Sequence, residues 1–422
     1  MRILFVSHYF PPEMGAPAGR VAGLARQWAG DGHDVHVLTG FPHHPTGRIH
    51  PQYRRRFLRG FARDSHGGAT VHRTWIFPAA NKGKLLRSLN YFSFMASAVA
   101  TGSLAVPRPD VVVATSPQLL CAGAGALLAR RFGVPFVMEV RDLWPESLVA
   151  VGASKGMSPL VHGLERVARR LYAAASHIVT VTEAQRDSII SFCVSPDRIS
   201  VIPNGVDEEF LQWIPPQAAA SDGRFVVTYI GTLGMAHRLE TLLEAAQRLR
   251  SDQRFHFRLV GEGAQRAALE SRARKLGLGN VEFAGERPRE EVPRWIAESA
   301  ACLVLLRNTD VFRTVVPSKM LEIMAVGRPI VLGVRGEASA LLERAGAGIA
   351  VEPENASELA AALLALSNDP ERCRYFGESG RRFVQSEFLR AGLARRYLHL
   401  LESLVPQRSA LAAKPYPASE SQ

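Results

Sequence analysis

Short apolar runs alternate with amphipathic stretches along the whole chain, and that alternation predicts a string of strand–helix units. In the first half, strands are expected over residues 3–6, 34–38, 110–114, 135–140, 177–181 and 199–202, with helices over 20–29, 85–105, 118–132 and 160–174 between them. The pattern breaks at Pro203-Asn204-Gly205-Val206-Asp207, and a Pro/Ala-rich connector follows over 213–223. A second series then begins, with strands expected over 225–230, 255–260, 281–284, 302–305 and 330–332. Strand–helix alternation of this kind is the signature of α/β architecture with parallel sheets. Two such series joined at a Pro-Asn-Gly hinge predict two doubly wound, Rossmann-like domains facing a cleft, the first over 1–202 and the second over 203–382. From about Pro406 the composition turns to Ser, Ala, Pro and Gln, which predicts a disordered tail over 406–422.

A length of 422 residues fits two domains rather than one core. The four cysteines are far apart, with no CxxC and no neighbouring histidine cluster, so neither a disulfide framework nor a structural zinc is indicated and a reducing compartment is favoured. The apolar run at the N-terminus is too short for a signal peptide and is expected to be the first strand. Charge is unevenly placed. Residues 1–202 hold 23 Lys/Arg against 12 Asp/Glu, and the rest 28 against 27. Arg54, Arg55, Arg56, Arg59 and Arg63 crowd into ten positions. Such asymmetry points to a polyanionic partner, an anionic membrane surface or a lipid diphosphate, with a merely solvated basic surface as the alternative. No helix-turn-helix, finger or exposed aromatic pattern supports nucleic-acid binding. The helix over 85–105 is uncharged from Tyr91 to Val106 but is diluted by Ser, Thr and Gly, and falls short of a membrane span. A buried core helix is the favoured reading, and a helix lying on a membrane surface stays open.

Four stretches carry candidate chemistry. In Val316-Pro317-Ser318-Lys319-Met320-Leu321-Glu322, Pro317 and Ser318 suit a helix start and Gly327 its end, which puts Lys319 in the first turn and Glu322 one turn on. A cation at a helix N-terminus with a carboxylate beyond it can hold a diphosphate and an adjoining sugar diol. Gly15 and Gly19 lie in the first strand–helix turn, where backbone can approach a ligand closely. Arg141 and Asp142 follow a strand within Glu139-Val140-Arg141-Asp142-Leu143-Trp144-Pro145. Gly231-Thr232-Leu233-Gly234 follows the first strand of the second domain, with His237 and Arg238 close behind, and Gly285-Glu286-Arg287 follows a later one.

Together these stretches resemble the nucleotide-sugar-dependent glycosyltransferases of family 4, and within them the subgroup building O-antigens and capsules, including N-acetylfucosaminyl-type transferases. The resemblance covers residues 1–405. It implies the two-domain arrangement called GT-B, with a last helix, 383–404 of a segment 383–405, crossing back to the first domain. It implies a retaining, metal-independent transferase that needs no cofactor beyond its donor substrate. Such an enzyme moves a sugar, by subgroup an N-acetylamino sugar, from UDP to a polyprenyl-diphosphate-linked acceptor, working peripherally at the cytoplasmic face of the inner membrane. By the same resemblance Glu322 takes the ribose hydroxyls, the Gly15 and Gly231 loops face the diphosphate, and the loop bearing Arg287 faces the base. Ser318 and Lys319 complete the donor site.

The departures matter as much. The first Glu of the family's Glu-x7-Glu pair falls on Thr314, and the usual Arg and Lys of the glycine-rich loop are Thr232 and His237, leaving Arg238 as a substitute. Arg141 stands where many relatives have His. An arginine cannot accept a proton near neutral pH, so Arg141 is expected on the phosphates with Asp142 orienting it. Two other classes stay open: a nucleotide-sugar epimerase of the same fold, which needs carboxylates and a histidine around the sugar, and a non-catalytic nucleotide-sugar-binding partner.

Overall fold

The computed structural model of the chain describes residues 1–13, 15–44, 46–80, 84–116, 118–144, 159–214 and 223–406. The expected tail beyond Pro406, most of the connector (215–222) and Pro145 lie outside the described residues.

The first domain is built on β1 (Arg2–Val6), α1 (Ala16–Gly30), β2 (Asp34–Gly40), α2 (Arg54–Phe57), β3 (Phe61–His66), β4 (Ala69–Thr74), α3 (Lys84–Ala105), β5 (Val111–Thr115), α4 (Leu119–Phe132), β6 (Phe136–Val140), α5 (Pro159–Ala174), β7 (His177–Thr180), α6 (Glu183–Ile190) and β8 (Ile199–Val201). Its eight strands run in the order β3-β4-β2-β1-β5-β6-β7-β8, all parallel except β3, which pairs antiparallel with β4. The second domain holds β9 (Phe225–Ile230), α7 (Glu240–Arg248), β10 (Phe255–Val260), α8 (Arg266–Lys275), β11 (Val281–Gly285), α9 (Val292–Ala297), β12 (Ala301–Leu305), α10 (Ser318–Val326), β13 (Ile330–Gly333), α11 (Glu337–Ala345), β14 (Gly348–Ala350), α12 (Ala356–Ser367) and α13 (Pro370–Glu387). Its six strands run β11-β10-β9-β12-β13-β14.

Central strands such as β5 and β12 are buried along their whole length. That is why they appear in the sequence as unbroken apolar runs rather than as alternation: helices cover both faces of a parallel sheet. The winding direction reverses between β1 and β5 in one sheet and between β9 and β12 in the other. A crevice opens at the carboxyl ends of strands at such a reversal. The Gly15 loop follows β1, the Gly231 loop follows β9, and α10 comes next after β12.

The chain crosses between the domains twice, at 202–207 and at 388–390, and the two crossings pair. Val206 N–H donates to Phe388 O at 3.0 Å and Arg390 N–H to Val206 O at 3.0 Å. Arg20 of α1 anchors the first crossing. Its guanidinium donates to the Pro203 and Ile202 carbonyls at 2.7 and 3.0 Å and to Glu139 Oε2 at 3.1 Å, with both side chains of the ion pair almost wholly buried. Arg390 and Arg26 both bond Asp207, at 2.9 and 3.0 Å.

Several expectations change. The helix expected from Arg20 begins at Ala16, so Gly15 is its N-cap residue, with φ 133°. The β3–β4 hairpin and β14 were not expected. The single returning helix from Phe383 is two helices: Phe383 lies inside α13, and the crossing helix α14 (Arg390–Leu404) starts only after Phe388 and Leu389. α14 packs on α1, where Trp28 Nε1–H donates to Ala394 O at 3.0 Å and Trp28 meets Tyr397 edge-on at 5.4 Å. Among the described residues no helix is long and apolar enough to cross a membrane.

Removing one partner of a buried ion pair strands the other. Arg20→Met is therefore expected to destabilise the protein by about 3–5 kcal/mol, measured by denaturant unfolding. A loss within experimental error would show that the hinge does not depend on this pair.

Candidate active site

Lys319 sits in the first turn of α10, which has no side-chain cap among the described residues. Ser318, expected to help cap the helix, is its first residue instead, and Pro317 takes the cap position. The Lys319 side chain folds back to β9: Nζ donates to the Tyr229 hydroxyl at 3.0 Å and lies 4.1 Å from the centre of the Tyr229 ring. The Tyr229 hydroxyl in turn donates a hydrogen bond to Thr232 O at 2.9 Å. The amine lies against Gly231, where a Cβ would stand 2.6 Å from Nζ and φ is 137°. Any side chain at residue 231 would displace the amine, so the glycine and the lysine form one device. Desolvation pushes Lys319 down to about 7, with Glu322 opposing it.

Glu322 is mostly buried and holds Arg289 through a 2.7 Å contact from Nη2 to Oε1. The Arg289 guanidinium also covers the Phe210 ring at 5.0 Å. Arg289 thus ties the loop after β11 to the carboxylate expected to take the ribose.

Other candidates fall out differently. His237 accepts no phosphate role here: burial, followed by the field of Lys319, lowers it to about 3, so it is neutral, and Nδ1 meets Leu305 O at 3.2 Å. Arg238 is held by Glu354 at 3.2 Å and by Glu240 at 3.9 Å. Arg287 stacks on Trp295 at 5.0 Å, and Arg258 stacks on the same ring at 4.8 Å. The Thr314 hydroxyl bonds Val311 O within its own turn at 2.8 Å, while its carbonyl accepts from Thr182 of the first domain, also at 2.8 Å.

In the first domain, Arg141 is 8% exposed, and its Nε and Nη1 have no hydrogen-bond partner among the described residues. Burial lowers it to about 10 while the neighbouring Glu139 pulls it back up. Burial likewise raises Asp142, with Arg141 opposing. A buried guanidinium with spare donors at the carboxyl end of a strand is suited to an anionic ligand. The Arg141 carbonyl accepts from Gln185 of α6 at 2.9 Å. The first turn of α6 is gripped from the other domain, where both oxygens of Glu337 accept from the N–H groups of Glu183 and Ala184 at 2.9 Å. With Thr182–Thr314, these contacts set the carboxyl edge of the first sheet against the segment leading into α10.

Glu13, just ahead of the Gly15 loop, gave no functional signal in the sequence. It is buried, its Oε1 accepts from the N–H groups of His43 and His44 at 2.9 Å, and burial raises it to about 7. It pins the loop after β1 to the loop after β2. Tyr229 was also passed over; its only signal was a tyrosine two residues ahead of a glycine loop in an otherwise apolar strand. A cavity of about 960 Å³ lies between the domains, with Asn204, Arg313 and Glu337 in its wall. None of Gly15, Arg141, Gly231, Lys319 or Glu322 lines it, so it is separate from the candidate donor groups. The Arg54–Arg63 cluster lies on α2 and the outer strand β3, far along the sheet order from β5.

Two family models match the chain: a glycosyl transferase 4-like domain over residues 15–205 and glycosyl transferases group 1 over residues 213–383. With two Rossmann-like domains in place, these matches make the chain a glycosyltransferase of the GT-B fold. Among individual proteins, it is 27% identical over 380 residues to the putative colanic acid biosynthesis glycosyl transferase of Escherichia coli, covering 86% of this chain and 91% of the relative. In fold it matches a sucrose-phosphate synthase from Thermosynechococcus elongatus with a TM-score of 0.75 at 19% identity, over 96% of this chain and 98% of the other. The Anabaena HepE protein, solved with UDP and glucose, matches with a TM-score of 0.71 at 18% identity, over 96% and 100%.

A diphosphate that pairs with Lys319 favours the charged amine. Donor binding should therefore take up a proton at pH values above about 7, where burial has lowered the amine in the unliganded protein. UDP affinity measured by calorimetry is expected to weaken by up to about tenfold per pH unit between pH 7.5 and 9. Lys319→Met should weaken binding at pH 7 and flatten that slope. An unchanged slope in the variant would remove Lys319 from the diphosphate site.

Proposed function

We propose that this chain is a retaining, metal-independent glycosyltransferase that moves a sugar from a UDP donor to a lipid-diphosphate-linked acceptor in surface polysaccharide synthesis. The observation that carries the donor half is the Lys319 amine, drawn under the Gly231 loop at the open end of α10 with Glu322 one turn on. UDP in the Anabaena structure and the colanic acid role in the name of the E. coli relative support the base and the pathway class. The Arg141-Asp142-Leu143-Trp144 form supports the polysaccharide subgroup, and the N-acetylamino sugar rests on that likeness alone.

In this reading Glu322 takes the ribose diol, releasing Arg289. Lys319 and the first N–H groups of α10 and α1 receive the diphosphate, and Arg141 adds its spare donors. The bond between the anomeric carbon and the β-phosphate oxygen breaks as the acceptor hydroxyl attacks from the same face. The hydroxyl proton goes to the departing phosphate, and UDP leaves. Fixed donors aimed at the developing leaving-group charge lower the barrier, because they need no reorganisation as that charge appears. Lys319, Arg141 and the helix ends offset that charge without a divalent ion. Gly231 and Ser318 act through backbone. Arg238 and Arg287 are left with structural duties, and Thr314 offers no carboxylate to the sugar. In this reading the basic residues Arg54, Arg55, Arg56, Arg59 and Arg63 meet an anionic membrane, with the enzyme peripheral on the cytoplasmic leaflet.

A thermal-shift panel of nucleotide sugars tests the donor half, since a ligand of the native state raises its melting temperature. Stabilisation by a UDP-sugar is expected; stabilisation only by GDP- or TDP-sugars would overturn the base assignment. Loss of charge-assisted bonds of about 1.5–3 kcal/mol predicts that Glu322→Ala raises the donor KM about 10–100-fold.

A further inference from the structure

α3 has two unlike faces. Asn90, Phe94 and Ala98 recur every fourth residue and are buried against the sheet. The opposite stripe is apolar too, yet open: Leu85 is 74% exposed, Phe92 61% and Leu104 88%, with Leu89, Ala96 and Ala100 exposed between them. A helix that is largely apolar on two opposite faces is ordinarily covered on both. The basic cluster adjoins this open face. Ser97 of α3 donates to the Trp75 carbonyl, and the exposed Trp75 ring stacks on Phe57 of α2 at 6.3 Å. α2 carries Arg54, Arg55 and Arg56, and exposed Leu58 and Arg59 follow it. Arg56 is tied to Asp64, but Arg54, Arg55 and Arg59 have no carboxylate partner among the described residues.

We propose that the outer face of α3, together with Leu58 and Trp75, is a seat that enters the interface of an anionic phospholipid bilayer. Its leucines and Phe92 replace water with acyl chain, and the free arginines of the α2 segment meet headgroup phosphates. Charge selects this occupant: apolar side chains beside unpaired arginines match an anionic lipid surface, whereas a second copy of the same face would set like charges together. The inner face of the same helix reaches the site. The Asn90 side chain bonds His8 at 3.0 Å and His43 at 2.8 Å, at the carboxyl ends of β1 and β2. α3 is thus a wall with lipid on one side and the first domain's ligand-facing loops on the other, so an acceptor carried by lipid arrives beside the Gly15 loop. The seat deepens the membrane contact of the proposed function, and this last clause rests in addition on the proposed lipid-linked acceptor.

Flotation of the full chain with vesicles tests the seat. Phosphatidylcholine vesicles containing phosphatidylglycerol should carry the protein, and pure phosphatidylcholine much less of it. The triple variant Leu85→Gln, Leu89→Gln, Phe92→Gln should lose vesicle binding at least tenfold while keeping its melting temperature and its response to UDP-sugar. The variant Arg54→Gln, Arg55→Gln, Arg59→Gln should lose mainly the preference for anionic lipid. Flotation of the leucine variant at the wild-type level would overturn the proposal, as would absence of wild-type flotation. So would a wild-type dimer in light scattering that the leucine variant converts to monomer, which would make a second copy the occupant. Because nucleotide response is read separately, failure of the seat and failure of the donor site are distinguishable.

Discussion

The contact on which the rest depends is the buried Arg20–Glu139 pair with its grip on the hinge. Two charges are held almost out of water at the centre of the first domain. That costs solvation, which geometry must offset. The offset comes from using the arginine fully: besides Glu139 it takes the last two carbonyls before the chain leaves the domain. Without that anchor the crossing at 202–207 would lose its fixed direction. The paired return at 388–390 and the Asp207 contacts would then lose their template. The relation between the two sheets, and so the meeting of their carboxyl edges, begins here.

Across the cleft the protein places several directed hydrogen bonds. Glu337 on the N–H groups of α6, and Thr182 on the Thr314 carbonyl, join the domains through groups that keep their partners fixed in angle. The second of these contacts touches the segment that leads into α10. Any change in domain angle is therefore felt at the helix end that carries Lys319. Lys319 itself is held in a costly state, desolvated against an aromatic ring and a glycine. In the proposed reading a dianionic ligand relieves that cost.

Much of this was legible in the sequence. Parallel strands buried on both faces leave continuous apolar runs, so nearly every central strand was located, as was the helix of Lys319 and its end at Gly327. What escaped did so for identifiable reasons. β3 is an edge strand whose residues are mostly exposed and polar, so it leaves no apolar signal. The start of α1 reads Ala-Pro-Ala-Gly, which resembles a loop until Pro17 is placed in the first turn, where proline is tolerated. The break between α13 and α14 falls in Phe388-Leu389, with neither glycine nor proline to mark it. The candidate site shows the same division. That Lys319 and Glu322 share one helix was readable because that spacing is local. The diversion of Arg238 to Glu354, the stacking of Arg287 on Trp295 and the neutrality of His237 depend on partners distant in sequence. Arg289 and Tyr229 were invisible for that reason as well.

The central claim is that one device, Lys319 under Gly231 at the end of α10 with Glu322 behind it, receives the donor's diphosphate and ribose. A crystal structure of the protein with UDP tests it most directly. The account predicts the β-phosphate within hydrogen-bond distance of Lys319 Nζ and the α10 N–H groups, the ribose hydroxyls on Glu322, and Arg289 displaced from that carboxylate. UDP bound elsewhere, for instance in the cavity beside Glu337, with the Arg289–Glu322 pair intact, would contradict it.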